Sequence, residues 1–310
     1  MPFRLANSKR LGIHSVNSII FPMKLITRIQ RIPTKNGRIK LIILRPKDQQ
    51  QPLPGILWIH GGGYLTGFAA MVHVSVGKML AEKYGAVVVS PGYRLSWQNR
   101  YPAAVDDCYA ALEYMYGQAE ELMIDRSRLI VGGESAGGGL TAAVCLMARD
   151  RGVIPVAFQL PLYPMLDCYD TPSSANNHGI FWNTFKNHMA WKIYLGALHG
   201  TDNIPKYASP SRETDYAGLP PAYTFVCDGE PFYDETLTYI KNLQAAGIAA
   251  SVDVYPGKAH AFDMMLPWTK KAKKARNRLC EIYEQSTWGQ APCAEHPAQV
   301  CLSPCASLKD

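Results

Sequence analysis

The sequence contains no uninterrupted apolar run of the roughly 18 residues that a membrane-spanning helix requires. Its most apolar N-terminal stretch is broken by Pro22, Lys24 and Arg28. The basic, apolar and small-residue segments of a secretory signal are also missing, and no internal repeat of roughly 20–50 residues is visible. These absences predict no membrane span and no solenoid, and they favour a cytoplasmic protein.

The chain has no acidic residue before Asp48. A second basic cluster lies at 270–278, and these two segments explain the net charge of +7. An acid-free N-terminus that contains arginine also occurs in organellar transit peptides, which stays an alternative. Neither cluster has the interleaved aromatic residues or the fold motif of a nucleic-acid-binding module. We therefore predict solvated basic surfaces and no nucleic-acid partner.

No CxxC pair occurs among the eight cysteines. Four of them lie in apolar periodic stretches, where a free cysteine packs as a small hydrophobic side chain. Those four are Cys108, Cys145, Cys227 and Cys280. Cys293, Cys301 and Cys305 lie with His296 in a stretch rich in Ala, Pro, Ser and Gln. Their irregular spacing favours a disordered tail over 286–310 rather than a zinc site, so no metal ion is predicted.

Apolar sequence for a large core is present, since 47% of the 310 residues are hydrophobic and 18% are charged. Eight short apolar or β-branched runs predict strands: Ile26–Pro33, Arg38–Arg45, Gly55–His60, Ala86–Ser90, Leu129–Gly133, Pro155–Pro161, Ala222–Asp228 and Ala250–Pro256. Helical patterns cover Ala69–Tyr84, Pro102–Gly117, Ala136–Asp150, Pro231–Ala246 and Met264–Tyr283. Asn36-Gly37 predicts that the first two strands form a hairpin. The alternation that follows predicts an α/β fold with a mostly parallel eight-stranded sheet covered by helices on both faces.

One region interrupts this alternation. After Pro161 about sixty residues pass before the next predicted strand, and 166–215 within them contain an aromatic-rich stretch. Its large side chains are Phe181, Trp182, Phe185, Trp191 and Tyr194. Ligands of such sheets bind at the carboxyl ends of the strands, so we predict a cap insertion over that edge.

The strongest chemical signal is the segment 133–137, Gly-Glu-Ser-Ala-Gly, which lies between a predicted strand and a predicted helix. A G-x-S-x-G in this setting is typical of a nucleophile elbow, a sharp turn that exposes the serine hydroxyl. The alternative is a glycine-rich helix start capped by Ser135.

A second signal is the segment 60–63, His-Gly-Gly-Gly, again directly after a predicted strand. Consecutive glycines let backbone N–H groups converge on a small anion such as the oxyanion of acyl transfer. A nucleotide site is not indicated, because no G-x-x-x-x-G-K-[ST] or G-x-G-x-x-G follows the first strand of a β-α-β unit.

Candidate partners for the serine follow the last two predicted strands. Asp228 and Glu230 follow one of them, and His260 follows the other. His260 is the only histidine after Ser135 that lies in a loop directly behind a core strand. Position and chain order therefore favour a catalytic role for this histidine.

These motifs resemble those of the hormone-sensitive lipase-like branch of the α/β-hydrolases, over roughly residues 26–285. The motifs that carry the resemblance are HGGG at 60–63, GESAGG at 133–138, EPFYDE at 230–235 and HAF at 260–262. The resemblance implies an α/β-hydrolase fold with a helical cap. It assigns 1–25 and 166–215 to the cap, and 26–165 with 216–285 to the catalytic core.

The resemblance also implies roles for individual residues. Ser135 would be the nucleophile and His260 the base. The N–H groups of Gly62, Gly63 and Ala136 would bind the oxyanion. No cofactor is implied.

Two positions depart from the family pattern. Glu134 stands where the family has an aspartate before the serine, and its position beside Ser135 favours a structural hydrogen bond. Glu230 stands where the family has the acidic residue of the triad, and we assign this role to it, with Asp228 as the reserve.

The reaction expected from this resemblance is hydrolysis of short to medium acyl esters through an acyl-enzyme. Amide or formamide hydrolysis and sugar deacetylation use the same constellation and stay open. A non-catalytic receptor is disfavoured, because the plant gibberellin receptors of this family lack the catalytic histidine, whereas His260 is present here. A small ester is the expected partner, and the sequence leaves a homodimer open.

Overall fold

The computed structural model describes residues 22–35 and 37–288, and a single eight-stranded sheet lies at its centre. The strands are β1 (Leu25–Thr34), β2 (Gly37–Pro46), β3 (Leu53–Ile59), β4 (Val87–Gly92), β5 (Ile124–Glu134), β6 (Phe158–Leu162), β7 (Ala222–Cys227) and β8 (Ala250–Tyr255). Their order across the sheet is β1-β2-β4-β3-β5-β6-β7-β8. β2 is antiparallel to both of its neighbours, whereas the six strands β3 to β8 are parallel to one another. The mostly parallel sheet expected from the sequence is confirmed.

The hairpin that opens the sheet follows from its turn residues. β1 and β2 pair so that Thr34 lies opposite Gly37, and Gly37 has a φ of +144°. Residues with a side chain rarely adopt that backbone conformation, so glycine at this position determines the turn and the register of the hairpin.

The central strands are apolar on both sides because both faces of the sheet are covered. In β4, Val87 and Val89 pack into one hydrophobic cluster, while Val88 between them packs into the other. Side chains alternate across a strand, so a run of valines supplies both cores at once.

Helices cover the two faces. Among the described residues they are α1 (Val76–Tyr84), α2 (Ala103–Gly117), α3 (Ala119–Leu122), α4 (Ala136–Arg151), α5 (Thr184–Leu195), α6 (Tyr233–Ala245), α7 (Phe262–Met265) and α8 (Lys270–Trp288). α1 and α8 contribute Leu80 and Leu279 to one cluster. α2, α4 and α6 contribute Met115, Leu140 and Leu243 to the other. None of the described helices is long and apolar enough to cross a membrane.

Two of the expected helices are interrupted. Residues 69–74 form a separate 3-10 helix, and α1 begins only after Ser75, whose hydroxyl accepts the N–H of Lys78 at 3.3 Å. The prediction of one continuous helix over Met264–Tyr283 is also wrong in its first part. α7 ends at Met265, and Pro267 separates it from α8 because proline lacks the N–H that a continuous helix needs.

The expected segments at the two ends of the chain lie mostly outside the described residues. Of the N-terminal cap segment 1–25, the structure describes only 22–25, and β1 already begins at Leu25. Of the tail 286–310 it describes only 286–288, which belong to α8. Cys293, Cys301, Cys305 and His296 lie beyond it. Within 166–215 the structure has α5 and two short 3-10 turns, and the division into core and cap stays a prediction.

Candidate active site

Ser135 occupies the sharp turn between β5 and α4. Its φ of 57° and ψ of −119° lie in a region that non-glycine residues rarely adopt. The turn needs small neighbours, because a Cβ on Gly133 or Gly137 would collide with the main-chain carbonyl of Ile59 in the adjacent strand. The G-x-S-x-G spacing thus has a steric cause, and the serine hydroxyl faces the carboxyl edge of the sheet.

The loop 60–63 lies directly beside this turn, since β3 and β5 are neighbours in the sheet. A Cβ on Gly61 would lie 3.3 Å from the Cβ of Ser135. Gly62 and Gly63 have φ values of +115° and +60°, which favour glycine. The N–H groups of Gly62, Gly63 and Ala136 donate no hydrogen bond to another described residue. They are therefore free to bind a ligand next to the serine.

His60 holds this loop in place rather than facing the serine. Its Nδ1 lies 2.8 Å from the carbonyl oxygen of Gly61, so this nitrogen carries the proton and donates. Its ring stacks on Tyr93 at a centroid distance of 4.2 Å. Burial lowers the pKa of His60 to about 4, so the imidazole is neutral at physiological pH.

The two late loops bring His260 and Glu230 to the serine. The Nε2 of His260 lies 2.9 Å from the Oγ of Ser135, and its Nδ1 lies 3.4 Å from the Oε1 of Glu230. The second distance is long for a hydrogen bond, and such contacts shorten when substrate binds. Both side chains are buried, and the Oε2 of Glu230 has no partner among the described residues. Burial raises the pKa of Glu230, and the neighbouring His260 opposes this rise.

Asp228, the reserve acid, lies elsewhere. It is exposed, and its Oδ1 accepts the N–H of Gly257 at 2.9 Å. This bond ties the two late loops together, but the carboxylate is not hydrogen-bonded to His260. Of the two acids that the sequence offered, the structure brings Glu230 to the imidazole.

Glu134 points away from this cluster and into the core. Its Oε1 accepts the indole N–H of Trp58 at 2.8 Å. Burial raises the pKa of Glu134 to about 8, the Trp58 hydrogen bond opposes the rise, and the nearby Asp263 adds to it. Burial also raises the pKa of Asp263, and the hydroxyl of Tyr163 opposes that change. Glu134 and Asp263 are thus two neighbouring carboxyl groups buried in the core.

Two aromatic rings pack against His260, and the sequence analysis assigned neither of them to the site. Phe232 packs edge-on against the imidazole at a centroid distance of 4.9 Å, and Tyr163 does so at 5.2 Å. Their positions carried a signal: Phe232 lies two residues after Glu230, and Tyr163 directly follows β6 at the same edge of the sheet. Trp182, which was singled out in the insertion, contacts Gly63 from the other side.

Comparison with known proteins agrees with this geometry. A family model described as an alpha/beta hydrolase fold matches residues 56–264. The chain belongs to this alpha/beta hydrolase family. Carboxylesterase NlhH of Mycobacterium tuberculosis is 35% identical over 224 residues, which are 70% of this chain and 69% of the relative. Ethyl acetate hydrolase of Pseudomonas putida is 29% identical over 258 residues, 82% of this chain and 81% of the relative.

Solved structures give the same result. A bacterial heroin esterase superposes with a TM-score of 0.82 at 34% identity, and the match covers 85% of this chain and 84% of that one. The α/β-hydrolase fold and the membership in the hormone-sensitive lipase-like carboxylesterase group, both expected from the motifs, are confirmed. No group of three or more His, Cys, Asp or Glu residues within 22–35 and 37–288 is arranged to hold a metal ion.

Proposed function

We propose that this alpha/beta hydrolase is a serine carboxylesterase that cleaves short to medium acyl esters through an acyl-enzyme. The observation that carries the proposal is the 2.9 Å contact between the Oγ of Ser135 and the Nε2 of His260, beside three free backbone N–H groups. The relatives named as a carboxylesterase and an ethyl acetate hydrolase support an ester as the substrate.

The first half of the reaction forms the acyl-enzyme. The neutral His260 takes the proton of Ser135 at Nε2 while the Oγ attacks the ester carbonyl carbon. The carbonyl oxygen becomes an oxyanion, and the N–H groups of Gly62, Gly63 and Ala136 donate to it. When the tetrahedral intermediate collapses, His260 gives its proton to the departing alkoxide, and the alcohol leaves.

The second half repeats these steps with water. His260 removes a proton from the water as its oxygen attacks the acyl carbon, and the same N–H groups bind the new oxyanion. Collapse returns the proton to the Oγ of Ser135 and releases the carboxylic acid. Throughout, Glu230 accepts the Nδ1–H of His260, which fixes the tautomer and stabilises the imidazolium.

Alternatives that share this constellation have less support. Amidase, formamidase and sugar-ester deacetylase reactions need the same groups, but the relatives reported above are esterases. A receptor without catalysis does not need a histidine in contact with the serine hydroxyl, which is present here.

Ser135→Ala tests the proposal. The variant should lose at least about a thousandfold in kcat/KM for p-nitrophenyl acetate while keeping its thermal melting temperature. It should also resist a fluorophosphonate probe that labels the unaltered protein. Retention of a tenth of the activity would rule out Ser135 as the nucleophile.

The cytoplasmic location and a homodimer stay predictions. Cell fractionation tests the first, and sedimentation velocity of the purified chain tests the second.

A further inference from the structure

The segment 171–184 of the insertion is tied to the loop that holds Glu230. Ser173 donates its hydroxyl to the carbonyl of Pro231 at 2.8 Å and its N–H to the carboxylate of Asp234 at 2.6 Å. The side-chain amide of Asn177 donates to the carbonyl of Gly229 at 3.1 Å. These bonds fix the position of the insertion relative to the triad, so a side chain on this segment has a defined place over the site.

Trp182 is the side chain of this segment that lies against the glycine loop. A Cβ on Gly63 would collide with its six-membered ring, so the indole lies directly on one of the three free N–H residues. The indole N–H donates to the Oδ1 of Asn187 at 3.3 Å. Asn187 begins the second turn of α5 and is only 1% exposed. A buried acceptor therefore holds the orientation of the ring.

On its other side the ring faces the histidine end of the site. The rings of Trp182 and Phe232 lie 6.4 Å apart, and Phe232 packs against His260. The indole thus lies between Gly63, which would bind the oxyanion, and Phe232, which packs against the histidine that would protonate the leaving group. A carbonyl oxygen bound by the N–H of Gly63 therefore lies close to this ring.

We propose that Trp182, oriented by Asn187, is a specificity-determining residue that restricts the reaction to compact esters such as acetates and propionates. This inference rests on the proposed esterase function. The indole is oriented by Asn187 and lies against Gly63, so it fills the space that the extra methylene groups of longer chains would occupy. Removal of the ring opens apolar space in which each added methylene is buried favourably.

The test compares wild type, Trp182→Phe and Trp182→Ala on two ester series. One series is the p-nitrophenyl esters from acetate to decanoate, and the other is acetates of alcohols of increasing size. We expect wild type to prefer the smallest members. Trp182→Ala should raise the ratio of kcat/KM for the large members to that for acetate by about tenfold or more in at least one series. Trp182→Phe, which keeps part of the ring, should lie between them.

Trp268→Ala is the matched control, because that tryptophan is 68% exposed and should leave the profile unchanged. Fluorophosphonate labelling of Ser135 in each variant, with its thermal melting temperature, shows whether the fold and the nucleophile are intact. Labelled, folded variants whose profiles in both series match that of wild type would overturn the role of Trp182 and leave the esterase proposal standing. A wild type that prefers decanoate would also overturn it. Absence of labelling in wild type would instead contradict the esterase proposal itself.

Discussion

Glu134 should make the folded protein less stable as the pH rises through neutrality. The carboxyl is buried, has Trp58 as a hydrogen-bond donor, and has a pKa raised from 4.5 to about 8. Between these two values the folded chain keeps a proton that the unfolded chain releases. Stability falls with rising pH wherever the folded state binds more protons, so the sign of the effect is destabilising above about pH 4.5.

The magnitude follows from the two pKa values. One pKa unit corresponds to about 1.4 kcal/mol, and the free energy of unfolding should therefore lose about 3–4 kcal/mol between pH 5 and pH 8 through this one group. Glu134→Gln has no charge to desolvate, and its amide oxygen can still accept the indole N–H of Trp58. Any packing cost of the new amide group is the same at every pH. The pH-dependent part of the difference thus reports the buried carboxyl alone.

Urea unfolding of wild type and Glu134→Gln at pH 5, 6, 7 and 8 measures this difference. The free energy of unfolding of the variant should rise relative to wild type over this range and level off above pH 8, where the native carboxyl is ionised as well. Glu113→Gln serves as the control, because that side chain is 54% exposed and its difference from wild type should be small throughout. A constant difference between Glu134→Gln and wild type from pH 5 to 8 would refute the reasoning.

Two further predictions concern other carboxyl groups. Glu230→Gln should lower kcat for ester hydrolysis by a factor on the order of 10⁴, because the imidazole loses the acceptor that fixes its tautomer. Asp228→Asn should lower kcat little in the same assay. A larger loss in Asp228→Asn than in Glu230→Gln would assign the acid of the triad to Asp228. Asp107→Asn should lower the free energy of unfolding by about 3 kcal/mol, because the fully buried carboxylate accepts both the main-chain N–H and the guanidinium of Arg94 at 2.8–2.9 Å. Urea unfolding measures this loss, and Glu121→Gln is the control: it breaks an exposed ion pair and should lower the free energy of unfolding by less than about 1 kcal/mol. Equal losses in the two variants would contradict the prediction for Asp107.

The placement of the candidate site could be predicted because it depends on strand ends. Ser135 and the glycine loop follow their strands directly, His260 lies in the loop after β8, and the carboxyl ends of such strands meet at one edge. Knowledge of which runs are strands was therefore enough to bring these segments together. The interruption at Pro267 was also readable, since a proline within a helical pattern stops the helix at or before the preceding residue.

Contacts between side chains distant in sequence could not be predicted. Trp182 and Gly63 are brought together by the hydrogen bonds of segment 171–184, and no periodicity in the sequence describes those bonds. The choice between Asp228 and Glu230 is of the same kind. Both follow β7 within three residues, and only the turn between them decides which carboxylate faces His260 and which one accepts the N–H of Gly257.

The buried environment of Glu134 explains why a glutamate before the serine is tolerated. Glu134, Glu230 and Asp263 are all buried, and of these three only Glu230 is hydrogen-bonded to the imidazole. An ionised Glu134 would add a second negative charge behind Ser135, where the oxyanion of the reaction has to form. Burial raises the pKa of Glu134 to about 8, so below that pH this carboxyl is mostly protonated and adds no second negative charge opposite the oxyanion. The longer side chain thus contributes a hydrogen-bond acceptor for Trp58 and no charge at neutral pH.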